Sequence, residues 1–169
     1  MTQLLPQIRT VTLIAATIAT GLVAGLFYAY ACSVMPGLAR ADDRTFVEAM
    51  QQINVAILNG WFGAGFGGAP LLIAVAAALQ LPAGGRRALP WIVAALLLYA
   101  VMLVITFTVN VPLNDQLAAT AHGGPDAALA QVRQQFEARW VPWNVARAIS
   151  SAAAFGCLTW ALAGATAAG

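Results

Sequence analysis

Four long apolar segments constrain this chain more than any other feature. They run over about 8–34, 60–81, 89–109 and 144–165, and a transmembrane helix needs roughly 20 such residues. The chain of 169 residues is 61% hydrophobic and 8% charged, whereas soluble domains carry about a quarter charged residues. No segment alternates as a barrel strand would. We therefore predict an all-α integral membrane protein, a single four-helix transmembrane domain over residues 1–169.

The arginines and carboxylates suggest how this bundle is oriented. Arg9, Arg86 and Arg87 lie on one predicted side with no acidic residue. The other side holds all six carboxylates but also five arginines, so the arginine count alone favours the opposite orientation. On net charge we expect both termini in the cytoplasm, with the protein in a bacterial plasma membrane.

The two longer connections contain helical patterns of their own. In the first, Phe46, Met50, Ile53 and Ile57 recur at helical spacing, which predicts an amphipathic helix that either lies on the membrane or caps the bundle. The third connection, AHGGPDAALAQVRQQFEARW, reads as a turn followed by a helix that begins near Pro125. The second connection, LPAGGRRALP, is a tight turn. The polar residues are thus predicted to gather on one membrane face.

Two asparagines mark the exit of the third span, in the stretch VITFTVNVPLNDQLAAT. Asn110 and Asn114 are four residues apart, so a continuing helix places both amides on one face. Pro112 removes a backbone donor between them and disturbs the helix. The amides either satisfy this broken helix end or line a polar pocket just inside the membrane surface.

The stretch RWVPWNVAR opens the fourth span. If Pro142 lies in the first turn of that helix, Trp143, Asn144 and Arg147 share one side of it. Trp140 and Trp143 are also typical of the interfacial aromatic belt. Arg147, which no other charge follows, either reaches the surface or faces the bundle interior. We expect these groups to form one polar cluster with Asn110 and Asn114, joined by Asn54 of the capping helix.

The sequence limits the cofactors that a site here can hold. His122 is the only histidine, so one chain cannot supply a two-histidine iron site or a bis-histidine haem. A paired-cysteine motif and a dinucleotide glycine fingerprint are also missing. We therefore expect no bound cofactor. Gly21 and Gly25, a small-residue pair at four-residue spacing, predict close helix packing and a candidate homo-oligomer face.

Four stretches together resemble the DUF1772 family of membrane proteins, which includes the fungal anthrone oxygenases. They are GLVAGLFYAYACSVMPGL (21–38), FVEAMQQINVAILN (46–59), TFTVNVPLND (106–115) and RWVPWNVARAISS (139–151). The resemblance implies a four-helix membrane protein, and for some members the oxidation of anthrones to anthraquinones by molecular oxygen without an identified cofactor. Some oxygenases of the family have a histidine where this chain has Asn144.

An anthrone carries an acidic CH2 group between aromatic rings, so its oxidation needs an apolar slot, a base and donors for an enolate oxygen. The candidate catalytic residues are polar groups near one membrane face: Asn110, Asn114, Asn144, Arg147 and His122, with Asp115 as a second candidate base. The candidate substrate-binding residues flank them: Tyr28, Gln51, Asn54, Trp140 and Trp143. Two other classes stay open, a protein that binds a lipid- or quinone-like ligand or a membrane partner without turnover, and a carrier. The charge-free span centres disfavour the carrier.

Overall fold

The computed structural model of the protein describes residues 4–81, 86–120 and 125–166. Within these ranges the chain forms five helices and no strand. They are α1 (Leu4–Leu38), α2 (Asp43–Ala56), α3 (Gly60–Leu79), α4 (Leu89–Ala118) and α5 (Asp126–Thr166). All but α2 are long and apolar enough to cross a membrane, which confirms the predicted all-α membrane bundle.

Two of the spanning helices contain a π turn just before a proline. In α1 the turn covers Tyr30–Val34, and the Met35 N–H bonds to the Tyr30 carbonyl five residues back. In α4 it covers Thr106–Asn110, and the Val111 N–H bonds to the Thr106 carbonyl. A proline ring clashes with the carbonyl four residues earlier, and a wider turn makes room for it. As a result α4 does not break at Pro112, as the sequence suggested, but continues to Ala118.

The fifth helix is longer than predicted. The helix that begins after Pro125 runs unbroken into the fourth span, for 41 residues in all. Pro142 lies inside this helix, so the expectation that it would open the fourth span was wrong. A rise of about 1.5 Å per residue makes α5 about 62 Å long, twice the roughly 30 Å of bilayer hydrocarbon. Its first half therefore extends beyond the membrane, where it packs against α2.

The buried side chains form two apolar clusters that share α5. One cluster fills the spans and includes Ile73, Tyr99 and Leu158. The other lies under α2 and is built around Phe46, Met50, Phe136 and Trp140. The capping helix predicted in the first connection is thus α2, with its apolar face on α4 and α5.

A half-buried arginine, Arg133, fixes the cap to α5. Arg133 donates at 2.8 Å to the carbonyls of Ala39 and Ala41, which connect α1 to α2. It also forms ion pairs with Asp43 at 3.0 Å and Glu137 at 2.8 Å. A planar guanidinium can satisfy several acceptors at once, so this one side chain holds the α1–α2 connection in place.

The glycine pair of α1 is used unequally. A Cβ atom at Gly21 would lie 2.9 Å from Cε2 of Phe155, so Gly21 allows α1 and α5 to approach closely. A Cβ atom at Gly25 would meet nothing within 4 Å. The small residue at Gly21 therefore serves packing within one chain.

Candidate functional site

A cavity of about 590 Å³ opens between all five helices, at the level of the two π turns. Its apolar walls include aromatic side chains from three helices, namely Phe27 and Tyr30 of α1, Phe62 and Phe66 of α3, and Phe107 of α4. Six residues singled out from the sequence as site residues also line it: Gln51, Asn54, Asn114, Trp140, Asn144 and Arg147. The candidate base Asp115 lines it as well. A volume in this range suits a drug-sized ligand.

Arg147 is the buried cationic residue of this cavity. Only 6% of it is exposed, and its guanidinium carbon lies 4.4 Å from the ring centre of Phe27 and 5.2 Å from that of Trp140. One terminal nitrogen donates to Asn144 Oδ1 at 2.9 Å. Its Nε atom is buried and has no partner in the described residues, and no described carboxylate pairs with it. A buried cation in this state is ready to accept an anionic or oxygen-bearing ligand.

Asn144 orients this arginine from one turn earlier on α5. It is fully buried, and its Nδ2 donates at 3.2 Å to the carbonyl of Phe27 in α1. Because the amide nitrogen is held by a carbonyl, the amide oxygen must face Arg147. The pair thus presents guanidinium donors at a position fixed by both α1 and α5.

Trp140 joins the two predicted asparagines to α5. Its indole N–H donates to Asn114 Oδ1 at 2.8 Å, and its carbonyl accepts from Asn110 Nδ2 at 3.3 Å. Its ring lies 5.9 Å from Tyr30, centre to centre. Asn110 is fully buried beside the cavity and does not line it. The asparagines are therefore linked to Arg147 through Trp140, Asn114 by the indole and Asn110 by the backbone carbonyl, and no described hydrogen bond joins them to the arginine directly.

Gln51 and Asn54 form the α2 edge of the cavity. Gln51 Nε2 donates to the carbonyls of Leu117 at 2.8 Å and Thr120 at 3.2 Å, near the end of α4. Its Oε1 atom is buried, and so is Nδ2 of Asn54, and neither has a partner within 4–81, 86–120 or 125–166.

Three site residues proposed from the sequence are placed elsewhere or not described. Tyr28 is 65% exposed and Trp143 is 42% exposed, and neither lines the cavity. His122 lies outside the described residues. Tyr30 takes the place expected of Tyr28, because residues three apart on a helix, here Phe27 and Tyr30, share a face. That spacing was the available signal.

The fold and the site define a class: a helical membrane protein with an aromatic-walled cavity that surrounds a buried arginine–asparagine pair. A family model described as anthrone oxygenase matches residues 59–157. The match covers more than half of the chain, and the protein belongs to this family, which is the DUF1772 family that the sequence resembles. The matched range contains Asn114, Trp140, Asn144 and Arg147 but leaves out α1 and α2. No curated protein and no solved structure matches the chain.

Proposed function

We propose that this protein is a membrane oxygenase that oxidises a lipophilic hydroxyaromatic compound of the anthrone type with molecular oxygen, without a bound cofactor. The observation that carries the proposal is the guanidinium of Arg147, buried between two aromatic rings and without a carboxylate partner among the described residues. Membership of the anthrone oxygenase family supports it.

The shape of the cavity suits a flat, apolar substrate. Phe62 and Phe66 stack at 4.9 Å, and Phe66 meets Phe107 edge to face at 6.2 Å. Aromatic walls favour stacked or edge-on aromatic ligands. Phe107 lines the cavity and is 60% exposed on a spanning helix, so the cavity opens toward the bilayer beside this side chain. A lipophilic substrate, and oxygen dissolved in the hydrocarbon, would enter by this route.

The reaction begins with loss of a proton from the CH2 group between the rings. Asp115, at the rim of the cavity, is the base that we assign to this step. The electron pair left on carbon spreads onto the ring carbonyl as an enolate. Arg147 then donates to the developing oxyanion while Asn144 holds its guanidinium in place.

The carbanion then reduces oxygen directly. It passes one electron to O2, and the resulting carbon radical and superoxide combine, with a proton, to a hydroperoxide on the former CH2 carbon. Loss of water from this hydroperoxide leaves the ketone of the anthraquinone. One CH2 group and one O2 thus give one C=O group and one H2O.

The test is oxygen uptake by purified protein in detergent, after treatment with a chelator, with emodin anthrone as substrate. We expect uptake and emodin formation in equal amounts, well above the spontaneous rate. The Arg147→Ala variant is the matched control for protein and detergent effects. Uptake at only the spontaneous rate, across several anthrones and quinols, would assign the chain to the ligand-binding proteins.

A further inference from the structure

Gln51 and Asn54 each have one unpaired atom at the cavity. A single ligand group that pairs with both must donate one hydrogen bond and accept another, which a carbonyl or a carboxylate cannot do. Gln51 Oε1 can only accept a hydrogen bond, because its Nε2 is committed to the carbonyls of Leu117 and Thr120. Asn54 Nδ2 can only donate. Both atoms are buried and without a partner among the described residues, and both residues line the cavity.

The two side chains stand together on one helix. They are three residues apart on α2, so they lie side by side on its cavity face. A hydroxyl group donates one hydrogen bond and accepts others. It is therefore the simplest single group that satisfies an acceptor and a donor placed next to each other.

This edge is separate from the arginine along the axis of the bundle. Ser150 bonds to the carbonyl of Leu98, and the carbonyl of Trp140 accepts from Asn110, so α5 runs antiparallel to α4. The backbone of Asn144 therefore lies near the level of Thr106. The guanidinium of Arg147 reaches the ring of Trp140, whose indole bonds to Asn114, and Gln51 bonds to the Leu117 carbonyl about one turn further along α4. The cavity thus has two polar ends with aromatic walls between them.

We propose that Gln51 and Asn54 form a second polar subsite, which selects substrates that carry a hydroxyl group on an outer ring, away from the ring carbonyl held by Arg147. The substrate class is then a fused hydroxyaromatic that is polar at both ends. This inference rests on the proposed function only for the shape of the ligand, since the unpaired atoms would bind the hydroxyl with or without turnover.

Emodin and chrysophanol are the probes, because these anthraquinones differ by one outer-ring hydroxyl. Their Kd values are measured by quenching of tryptophan fluorescence, for the wild type and for Gln51→Leu, at one detergent concentration. The preference is the Kd of chrysophanol divided by the Kd of emodin. We expect this ratio to be about ten times larger for the wild type than for Gln51→Leu. Partition of the ligands into micelles is the same for both proteins and cancels in this comparison.

Two further variants guard against a loss of folding. The amide nitrogen of Asn54 has no partner among the described residues, so Asn54→Leu breaks no described hydrogen bond of that atom. We expect this variant to reduce the preference for emodin as well. Gln52→Leu, on the exposed side of the same helix, should keep the wild-type preference. Failure of the wild type to bind either probe, or the same preference in the wild type, Gln51→Leu and Asn54→Leu, would overturn the subsite.

The outcome separates this inference from the proposed function. A hydroxyl preference without oxygen uptake would support the subsite and reject the oxygenase. Equal turnover of emodin anthrone and chrysophanol anthrone by the wild type, with no difference in binding, would support the oxygenase and reject the subsite.

Discussion

The indole N–H of Trp140 donates a 2.8 Å hydrogen bond to the side-chain oxygen of Asn114, and this bond joins α5 to α4 at the wall of the cavity. The ring of the same tryptophan lies 5.2 Å from the guanidinium carbon of Arg147. One side chain therefore couples the asparagine at the exit of the third span to the buried cation.

Replacing Trp140 with phenylalanine should keep the aromatic contact with Arg147 and remove the hydrogen bond to Asn114. Loss of a bond to a partly buried acceptor costs about 1–3 kcal/mol, so we expect a lower unfolding temperature in detergent. Trp143→Phe is the control, since Trp143 is 42% exposed and lies outside the cavity. Equal unfolding temperatures for the two variants would show that the Trp140 bond contributes nothing.

Replacing Arg147 with alanine should lower turnover more than substrate binding. An arginine that stabilises the enolate acts mainly in the transition state, and the loss of one such donor typically lowers kcat about 10²- to 10³-fold. The measurement is kcat and KM for emodin anthrone, with the exposed Arg139→Ala as control. A rise in KM at constant kcat would mean that Arg147 only holds the substrate.

Asp115→Asn should slow removal of the CH2 proton. An amide at this position cannot take up a proton, and positioned bases contribute about 10²- to 10⁴-fold. We expect a lower kcat and a larger isotope effect with substrate deuterated at the CH2 group, because proton transfer becomes slower than the steps that follow. Glu48→Gln removes an exposed carboxylate from α2 outside the cavity and should leave both quantities unchanged. Wild-type kinetics in Asp115→Asn would point to another base.

Gly21→Val should destabilise the bundle, because its side chain would meet the ring of Phe155. Overpacking of this kind costs about 1–3 kcal/mol. Gly25→Val is the matched control on the same helix, where a Cβ atom meets nothing within 4 Å. Thermal unfolding in detergent measures both. A change of oligomeric state in Gly25→Val alone would instead identify that position as a contact between copies.

Both termini are predicted to lie in the cytoplasm, and cysteine labelling in intact cells tests this. Cys32 and Cys157 are first replaced by alanine, and single cysteines are then placed at Arg87 and Ala128, both exposed. A reagent that cannot cross the membrane should label residue 128 and not residue 87. Labelling of residue 87 alone would invert the orientation, and labelling of both would contradict the four-span topology.

The sequence predicted the fold well because span length and charge depletion are local properties. The same holds for α2, whose apolar stripe through Phe46 and Met50 is readable without knowledge of its neighbours. It also singled out four residues that line the cavity, since polar groups beside apolar spans are costly and few: Asn114, Trp140, Asn144 and Arg147.

The errors arose where neighbouring helices decide the local structure. Pro142 reads as a helix start, yet it is held inside α5 by packing of both halves of that helix. The three-residue spacing of Phe27 and Tyr30 marks one aromatic face of α1, but only the packing of α1 against the other helices shows that the cavity lies on this face and not on that of Tyr28. The unpaired atoms of Gln51 and Asn54 become visible only once the partners of every nearby group are known.

The π turn of α4 holds one residue more than an α-helical turn would, and this extra residue sets the direction of everything beyond it. If the same residues were wound as a regular α-helix, the segment from Val111 to Ala118 would be rotated by about 100° relative to the span. Asn114 would then turn away from Trp140, and Asp115 would leave its place at the rim. Relatives that lack one residue of this turn, recognisable by a one-position gap in an alignment, reach the same direction with regular α-helical winding and should therefore keep the same cavity wall.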